Sequence, residues 1–242
     1  QERSHSPNQT GDYSAAIEGR RIHLDRDCTS PGRELFSVIE VAVTNPKGVR
    51  GLKRMIEEEV VLVDDAGRDC RDAEGRILTA GKLEAHTRGL RHRAVSVFVF
   101  NRIGQVLLQR RASGKYHSAG LWSNTCCTHP RRGESPQEAG QRRLQEEMGI
   151  SCRLEERFVF SYCAIVGCGL TENEYDHVCV GWSEGKPDPD PAEVGEWKWV
   201  DCEALRIALD REPQQYTYWL AACFMRVLEE LGALGIGTNK TR

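Results

Sequence analysis

Three stretches of the 242-residue chain set reactive side chains at meaningful intervals. The first is Arg142-Arg143-Leu144-Gln145-Glu146-Glu147, with Glu134 upstream. On a helix Arg143 and Glu147, four apart, share a face, so a guanidinium and a carboxylate point the same way. Taken alone, the run also fits a solvated helix laced with i,i+4 ion pairs. The second is Glu172-Asn173-Glu174. Alternate residues of a strand share a face, so these two carboxylates can converge on one site. A solvent-facing strand edge is the plain alternative, and the apolar strands on either side argue against it. The third is Cys126-Cys127, with His129 two residues on. Adjacent side chains in an extended segment face opposite ways, so one cysteine is left to pack inside.

These groups need a scaffold, and the surrounding sequence supplies one. Val60–Val63 ends at the turn sequence Asp64-Asp65-Ala66-Gly67. Ala94–Phe100 and Val106–Gln109 read as strands of a hairpin joined by Asn101-Arg102-Ile103-Gly104. Ser135 then Pro136 mark a helix start and Gly149 its stop, so Gln137–Met148 is an amphipathic helix. Strands are expected over Phe158–Ile165, Tyr175–Trp182 and Trp197–Val200, and helices over Cys202–Leu209 and Tyr216–Leu231. Strands with one central and two C-terminal helices predict an α+β, layered α/β/α sandwich. Residues 1–54 read as a poorly ordered N-terminal extension with one strand-like run, Leu35–Val43, and the compact domain is expected over 55–242.

The charged run resembles the Nudix box, G-x5-E-x7-R-E-U-x-E-E-x-G-U with U apolar. Glu134, Arg142, Leu144, Glu146, Glu147, Gly149 and Ile150 match it, while Thr128 replaces the first Gly and Arg143 replaces a Glu. Loss of one carboxylate weakens a metal cluster, and the guanidinium adds donors suited to phosphate oxygens. Trp122-Ser123-Asn124-Thr125-Cys126-Cys127-Thr128-His129-Pro130 sharpens the likeness. It resembles the signature of type 1 isopentenyl-diphosphate isomerases, a family with the Nudix fold. Lys82–Thr87 with Leu90–Ala94, Arg110–Lys115, Tyr162 ten residues before Glu172-Asn173-Glu174, and Trp219 are similar to further family motifs in the same order. The resemblance spans residues 57–231 and implies a Nudix-type α/β/α sandwich with a mixed central sheet.

The resemblance also implies roles. His86, His92, His129, Glu172 and Glu174 would form an N/O ligand set for one divalent metal, Mn²⁺, Zn²⁺ or Mg²⁺. Lys82, Arg111, Lys115 and Arg143 would clamp a diphosphate, with Mg²⁺ held between it and Glu147. Moving the double bond of isopentenyl diphosphate requires protonating a weakly basic alkene on one face and deprotonating the next carbon on the other, in a site closed to water. Cys127 would occupy one face, Glu174 with Tyr162 the other, and the Trp219 ring would stabilise the cation between them. The first proton comes either from Cys127 or from the Glu174/Tyr162 pair. Cys126 is assigned to packing.

Three departures from the family pattern carry expectations. His86 and His92 are six apart, one fewer than the family spacing, so Thr87–Arg91 must turn more tightly. Ser118-Ala119-Gly120 stands where the family usually has an aromatic followed by Pro-Gly, which would loosen the approach to the Cys127 segment. Gln214 and Gln215 near Trp219 would make the cation pocket more polar, with Tyr216 and Tyr218 compensating.

Composition narrows the partners. Lys plus Arg is 33 against Asp plus Glu 36, a net charge of −3, without the basic excess of a nucleic-acid binder. No apolar run is long enough to span a membrane, and the polar first residues give no support to secretion. Ten cysteines without a CxxC pair read as reduced thiols, mostly small buried hydrophobes, in a cytoplasmic protein. A small-molecule diphosphate is the expected partner, and a monomer or weak dimer the expected state. Two other functions compete: a Nudix diphosphohydrolase, against which Arg143 stands, and a non-catalytic diphosphate-binding module, which would not need Cys127, Glu174 and Tyr162.

Overall fold

The computed structural model describes residues 58–167 and 169–233. The expected extension 1–54, with its strand-like run 35–43, lies outside the described residues. Among them the elements are β1 (Glu59–Val61), β2 (Thr79–Gly81), α1 (Lys82–Arg88), β3 (His92–Phe100), β4 (Val106–Arg111), β5 (Trp122–Ser123), β6 (Cys126–Thr128), α2 (Pro136–Met148), β7 (Leu154–Ile165), β8 (Thr171–Trp182), β9 (Val194–Val200), α3 (Cys202–Arg211) and α4 (Tyr218–Ala233).

The middle strand β3 explains the layering. Val95, Val97 and Val99 pack on one face with Leu144 and Met148 of α2. Phe98 and Phe100 pack on the other with Leu205 of α3 and Leu220, Phe224 and Val227 of α4. An unbroken apolar run is what a strand covered on both faces requires. The result is the expected α/β/α sandwich around a mixed sheet. β8 runs parallel to β3, from His92↔Glu174 to Phe100↔Trp182, while β6 lies antiparallel on its other side and β7 lies outside β8.

The expected β3–β4 hairpin forms only at its turn. Asn101 Oδ1 accepts from the backbone N–H groups of Ile103 (3.2 Å) and Gln105 (2.9 Å), and Gly104 takes φ 82°. The strands pair at Phe100↔Val106. Beyond that pair β4 bonds to β9 and β5, and β3 to β6 and β8. The sheet therefore opens into two leaves, and Ala94 of β3 with Gln109 and Arg111 of β4 line the cavity between them.

Helix α2 reaches that cavity from the other layer. Ser135 Oγ accepts from the N–H of Glu138, and the Glu138 carboxylate accepts from the N–H of Ser135, satisfying two donors that a helix start leaves unpaired. Gly149 ends the helix at φ 65°, and a Cβ there would lie 2.7 Å from the backbone oxygen of Asp188. Gly149→Ala is expected to cost about 1–2 kcal/mol through the left-handed backbone alone, with the Asp188 clash adding to it. A lower urea midpoint checks this; an unchanged midpoint would contradict it.

Among the eight described cysteines, all free, Cys126, Cys179 and Cys223 are buried, while Cys163 is exposed and the others are half-buried. Reduced and mostly buried thiols were expected; the described thiols are free, but only three of the eight are buried, and Cys163 lies near the end of β7, where alternate side chains face outward.

Candidate active site

Helix α1 and the start of β3 hold two histidines. Gly89, at φ 60°, ends α1 and turns the chain directly into β3. The tight Thr87–Arg91 turn thus still brings the His86 and His92 rings to 4.9 Å between centres. His86 Nδ1 donates to the Lys82 carbonyl at 2.6 Å, and His92 Nδ1 to the Leu90 carbonyl at 2.7 Å. A carbonyl only accepts, so a neutral ring at either position directs its Nε2 lone pair inward. His92 Nε2 is buried without a hydrogen-bond partner among the described residues, 3.5 Å from Glu174 Oε1. His129 Nε2 lies 3.0 Å from the same oxygen.

One ligand atom each from His86, His92, His129 and Glu174 lies within 4.8 Å of the others. Inward lone pairs facing a carboxylate repel one another unless a cation sits among them, and this donor set fits a divalent ion. Burial holds the His129 ring down to about 4, which keeps it neutral as a ligand must be. Glu172, expected as a fifth ligand of this group, belongs instead to a second cluster with His86 and His117. Its two oxygens lie 3.0 Å from the Nε2 atoms of those histidines. The two clusters share His86.

Two walls of the cavity come from the strands flanking β3. Cys127 of β6 pairs with Ser96, and Glu174 of β8 pairs with His92. Cys127, Glu174 and Tyr162 all line one cavity. Cys127 Sγ donates to Asn124 Oδ1 at 3.3 Å, and burial pushes this thiol up to about 12. The Tyr162 hydroxyl donates to Glu174 Oε2 at 2.6 Å, and burial raises this phenol well above its usual range. Burial and the Glu172 charge push the Glu174 carboxyl up, but the hydrogen bond with His129 and the nearby His92 ring outweigh them and hold it below the usual carboxylate range. Cys126 points the other way, buried with Leu144 and Met148.

Trp219 of α4 forms a third wall. Its indole N–H is shared between Ser123 Oγ (3.0 Å) and Asn124 Oδ1 (3.1 Å), and the Arg111 guanidinium lies 5.4 Å from the ring centre. Gln214 and Gln215 are exposed and absent from the lining, so the expected rise in pocket polarity does not occur. They sit on a separate short turn, Pro213–Gln215, ahead of α4. Tyr218 instead packs its ring 5.6 Å from Tyr162.

The four basic residues Lys82, Arg111, Lys115 and Arg143 line the same cavity. Three of them already face carboxylates. Lys82 Nζ lies 2.8 Å from Glu58 and Lys115 Nζ 2.5 Å from Glu193. Arg143 contacts Glu146 (3.0 Å), Glu147 (2.6 Å) and Glu193 (3.0 Å), so its guanidinium is engaged by acidic groups. Arg111 donates from Nη2 to the His117 carbonyl, while its Nε is buried without an acceptor among the described residues. Glu147 also accepts from Gln109 Nε2 at 2.8 Å. The box residues divide: Glu147 and Arg143 turn to the cavity, whereas Glu134 and Arg142 bond to each other at 2.8 and 2.9 Å, tying loop to helix.

A NUDIX domain model matches residues 90–223. An isopentenyl-diphosphate Delta-isomerase 2 from Aromatoleum aromaticum is 46% identical over 182 residues, covering 75% of this chain and 93% of that relative. The chain belongs to the isopentenyl-diphosphate Delta-isomerase family. Isopentenyl-diphosphate Delta-isomerase 1 of the same organism is 49% identical over 173 residues (72% and 94% covered), and the Serratia proteamaculans isomerase is 44% identical over 178 residues (74% and 93%). A Deinococcus radiodurans crystal structure, 21% identical, shares the fold with a TM-score of 0.54 over 70% of this chain and 98% of its own.

Within this isomerase-family cavity sequence reasoning missed Glu58, Gln109, Tyr116 and His117, and Glu193 behind it. His117 and Tyr116 stand beside the Ser118-Ala119-Gly120 departure, which pointed to this loop without singling them out. Glu58 and Glu193 carried no local signal.

Proposed function

We propose that this chain isomerises isopentenyl diphosphate to dimethylallyl diphosphate by protonating the alkene on one face and deprotonating it on the other. The observation carrying the reading is the convergence of Cys127 and the Glu174–Tyr162 pair on one cavity from opposite flanks of β3. Both walls hold a proton at rest, on the thiol and on the phenol, and Glu174 is the ionised acceptor between its histidines and Tyr162. One wall loses what the other gains, so the site must re-equilibrate with solvent after each turnover. The Trp219 ring, fixed through its N–H, faces the positive charge that develops between them.

In this reading the diphosphate binds at Lys82, Arg111, Lys115 and Arg143. Arg111 Nε, buried without an acceptor among the described residues, supports an anion there. The lining balances four cations against Glu58, Glu147, Glu172 and Glu174. A diphosphate therefore adds uncompensated negative charge, which supports Mg²⁺ bound through Glu147. A second divalent ion, Mn²⁺, Zn²⁺ or Mg²⁺, at His86, His92, His129 and Glu174, with Glu172 beside it, would supply positive charge that fixes the Glu174 carboxylate. We assign the activity to the cytoplasm, with a monomer or weak dimer as the working unit. Among the described residues no helix is long and apolar enough to cross a membrane.

Incubation with isopentenyl diphosphate and Mg²⁺ is expected to yield dimethylallyl diphosphate without inorganic phosphate or pyrophosphate. Phosphate release without isomerised product would favour the diphosphohydrolase; binding without turnover would favour the passive module.

A further inference from the structure

His117 is a buried side chain that the reaction just described does not use. Its Nε2 lies 3.0 Å from Glu172 Oε1, and its Nδ1 lies 3.1 Å from the hydroxyl of Ser118. A carboxylate accepts, so Nε2 carries the hydrogen; in a neutral ring Nδ1 is then the acceptor, and Ser118 is the donor. The chain of bonds has one direction, from Ser118 through His117 to Glu172. Ser118 holds φ 49°, alone among the described non-glycine residues in that region, which is an uncommon conformation for a side-chain-bearing residue. Backbone of this kind persists where its surroundings over-determine it, often at functional sites.

The other Glu172 oxygen, Oε2, faces His86 Nε2 at 3.0 Å. His86 is the residue common to both clusters of potential ligands. Its Nδ1 is committed to the Lys82 carbonyl, so a neutral His86 meets Oε2 with a lone pair. Oε2 and His86 Nε2 thus form one side of a cation site, while Oε1 is held from behind.

We propose that His117 is a positioning residue for the divalent-ion centre: its Nε2–H holds Glu172 so that the opposite carboxylate oxygen is presented to the ion beside His86. The proposal rests on the metal centre described above and adds to it a residue outside the ligand set. Metal-bound carboxylates need such partners, and removing one typically weakens metal binding by about 10–100-fold.

The test is a Zn²⁺ titration of the metal-free full chain against a chromophoric chelator. His117→Phe keeps a buried ring without the donor, and His117→Gln keeps an N–H donor. His117→Phe is expected to lose about 10–100-fold in Zn²⁺ affinity, with His117→Gln close to the parent protein and all three metal-free proteins melting at similar temperatures. Parent-like binding by His117→Phe overturns the proposal, as does a His117→Gln protein as weak as His117→Phe. A parent protein that binds no Zn²⁺ overturns the metal centre itself, so the two failures are distinguishable.

Discussion

Glu174→Gln is expected to lower turnover by about 10²–10⁴-fold, the usual contribution of a positioned acid–base group. The two carboxylate oxygens have separate tasks. Oε1 faces His129 and His92, and Oε2 accepts from Tyr162. Glutamine keeps the size and shape but replaces one acceptor with a donor. With its nitrogen toward Tyr162, the phenol loses its acceptor and the proton path is cut. With its nitrogen toward the histidines, a donor stands where a cation belongs. Either orientation removes one task, so no rotamer rescues the variant. Turnover measured with metal content on the same sample separates the two losses. Near-parental turnover would remove Glu174 from the chemistry.

Cys127→Ala is expected to abolish turnover, whereas Cys126→Ala retains most of it. The neighbours differ because β6 alternates. Cys127 lines the cavity and donates to Asn124, while Cys126 is fully buried against α2. Losing the Cys126 sulfur leaves a small void and a modest stability cost, visible in a melting curve rather than in the rate. Asn124 Oδ1 also accepts from Trp219, so replacing Cys127 leaves the indole its partners and should not disturb the fold. Comparable loss from both substitutions would mean that the register is wrong or that the cysteines act together in structure.

Helix α2 was legible because its start and stop are local: Ser135, Pro136 and Gly149 act within a turn of their own positions. Strand β3 was legible because burial on both faces demands an unbroken apolar run. Helix α1 gave no comparable signal. It has seven residues, and Gly81 before it makes no side-chain cap. The hairpin at Asn101–Gly104 was misread in extent for a related reason. Its turn is local, but β8 and β9 decide the partners of its strands, and distant pairing is not encoded in the turn. Family spacing singled out His86, His92, His129 and Glu174, which the fold brings together, and Cys127, which lines the same cavity as His129 and Glu174. The acidic groups facing the basic clamp were invisible, since Glu58 and Glu193 lie 24 and 78 residues from Lys82 and Lys115. Nothing near Arg143 in sequence announces Glu193 either, which lies 3.0 Å from its guanidinium.

The central claim is that exchangeable hydrogens on two opposed walls are given to, and taken from, a substrate held between them. Turnover in deuterated water, with the product examined by mass spectrometry and proton NMR, tests it directly. Dimethylallyl diphosphate carrying solvent deuterium in a methyl group is the predicted result. Product formed at full rate without solvent label would contradict the account, because the hydrogen would then have moved within the substrate and not through Cys127, Tyr162 and Glu174.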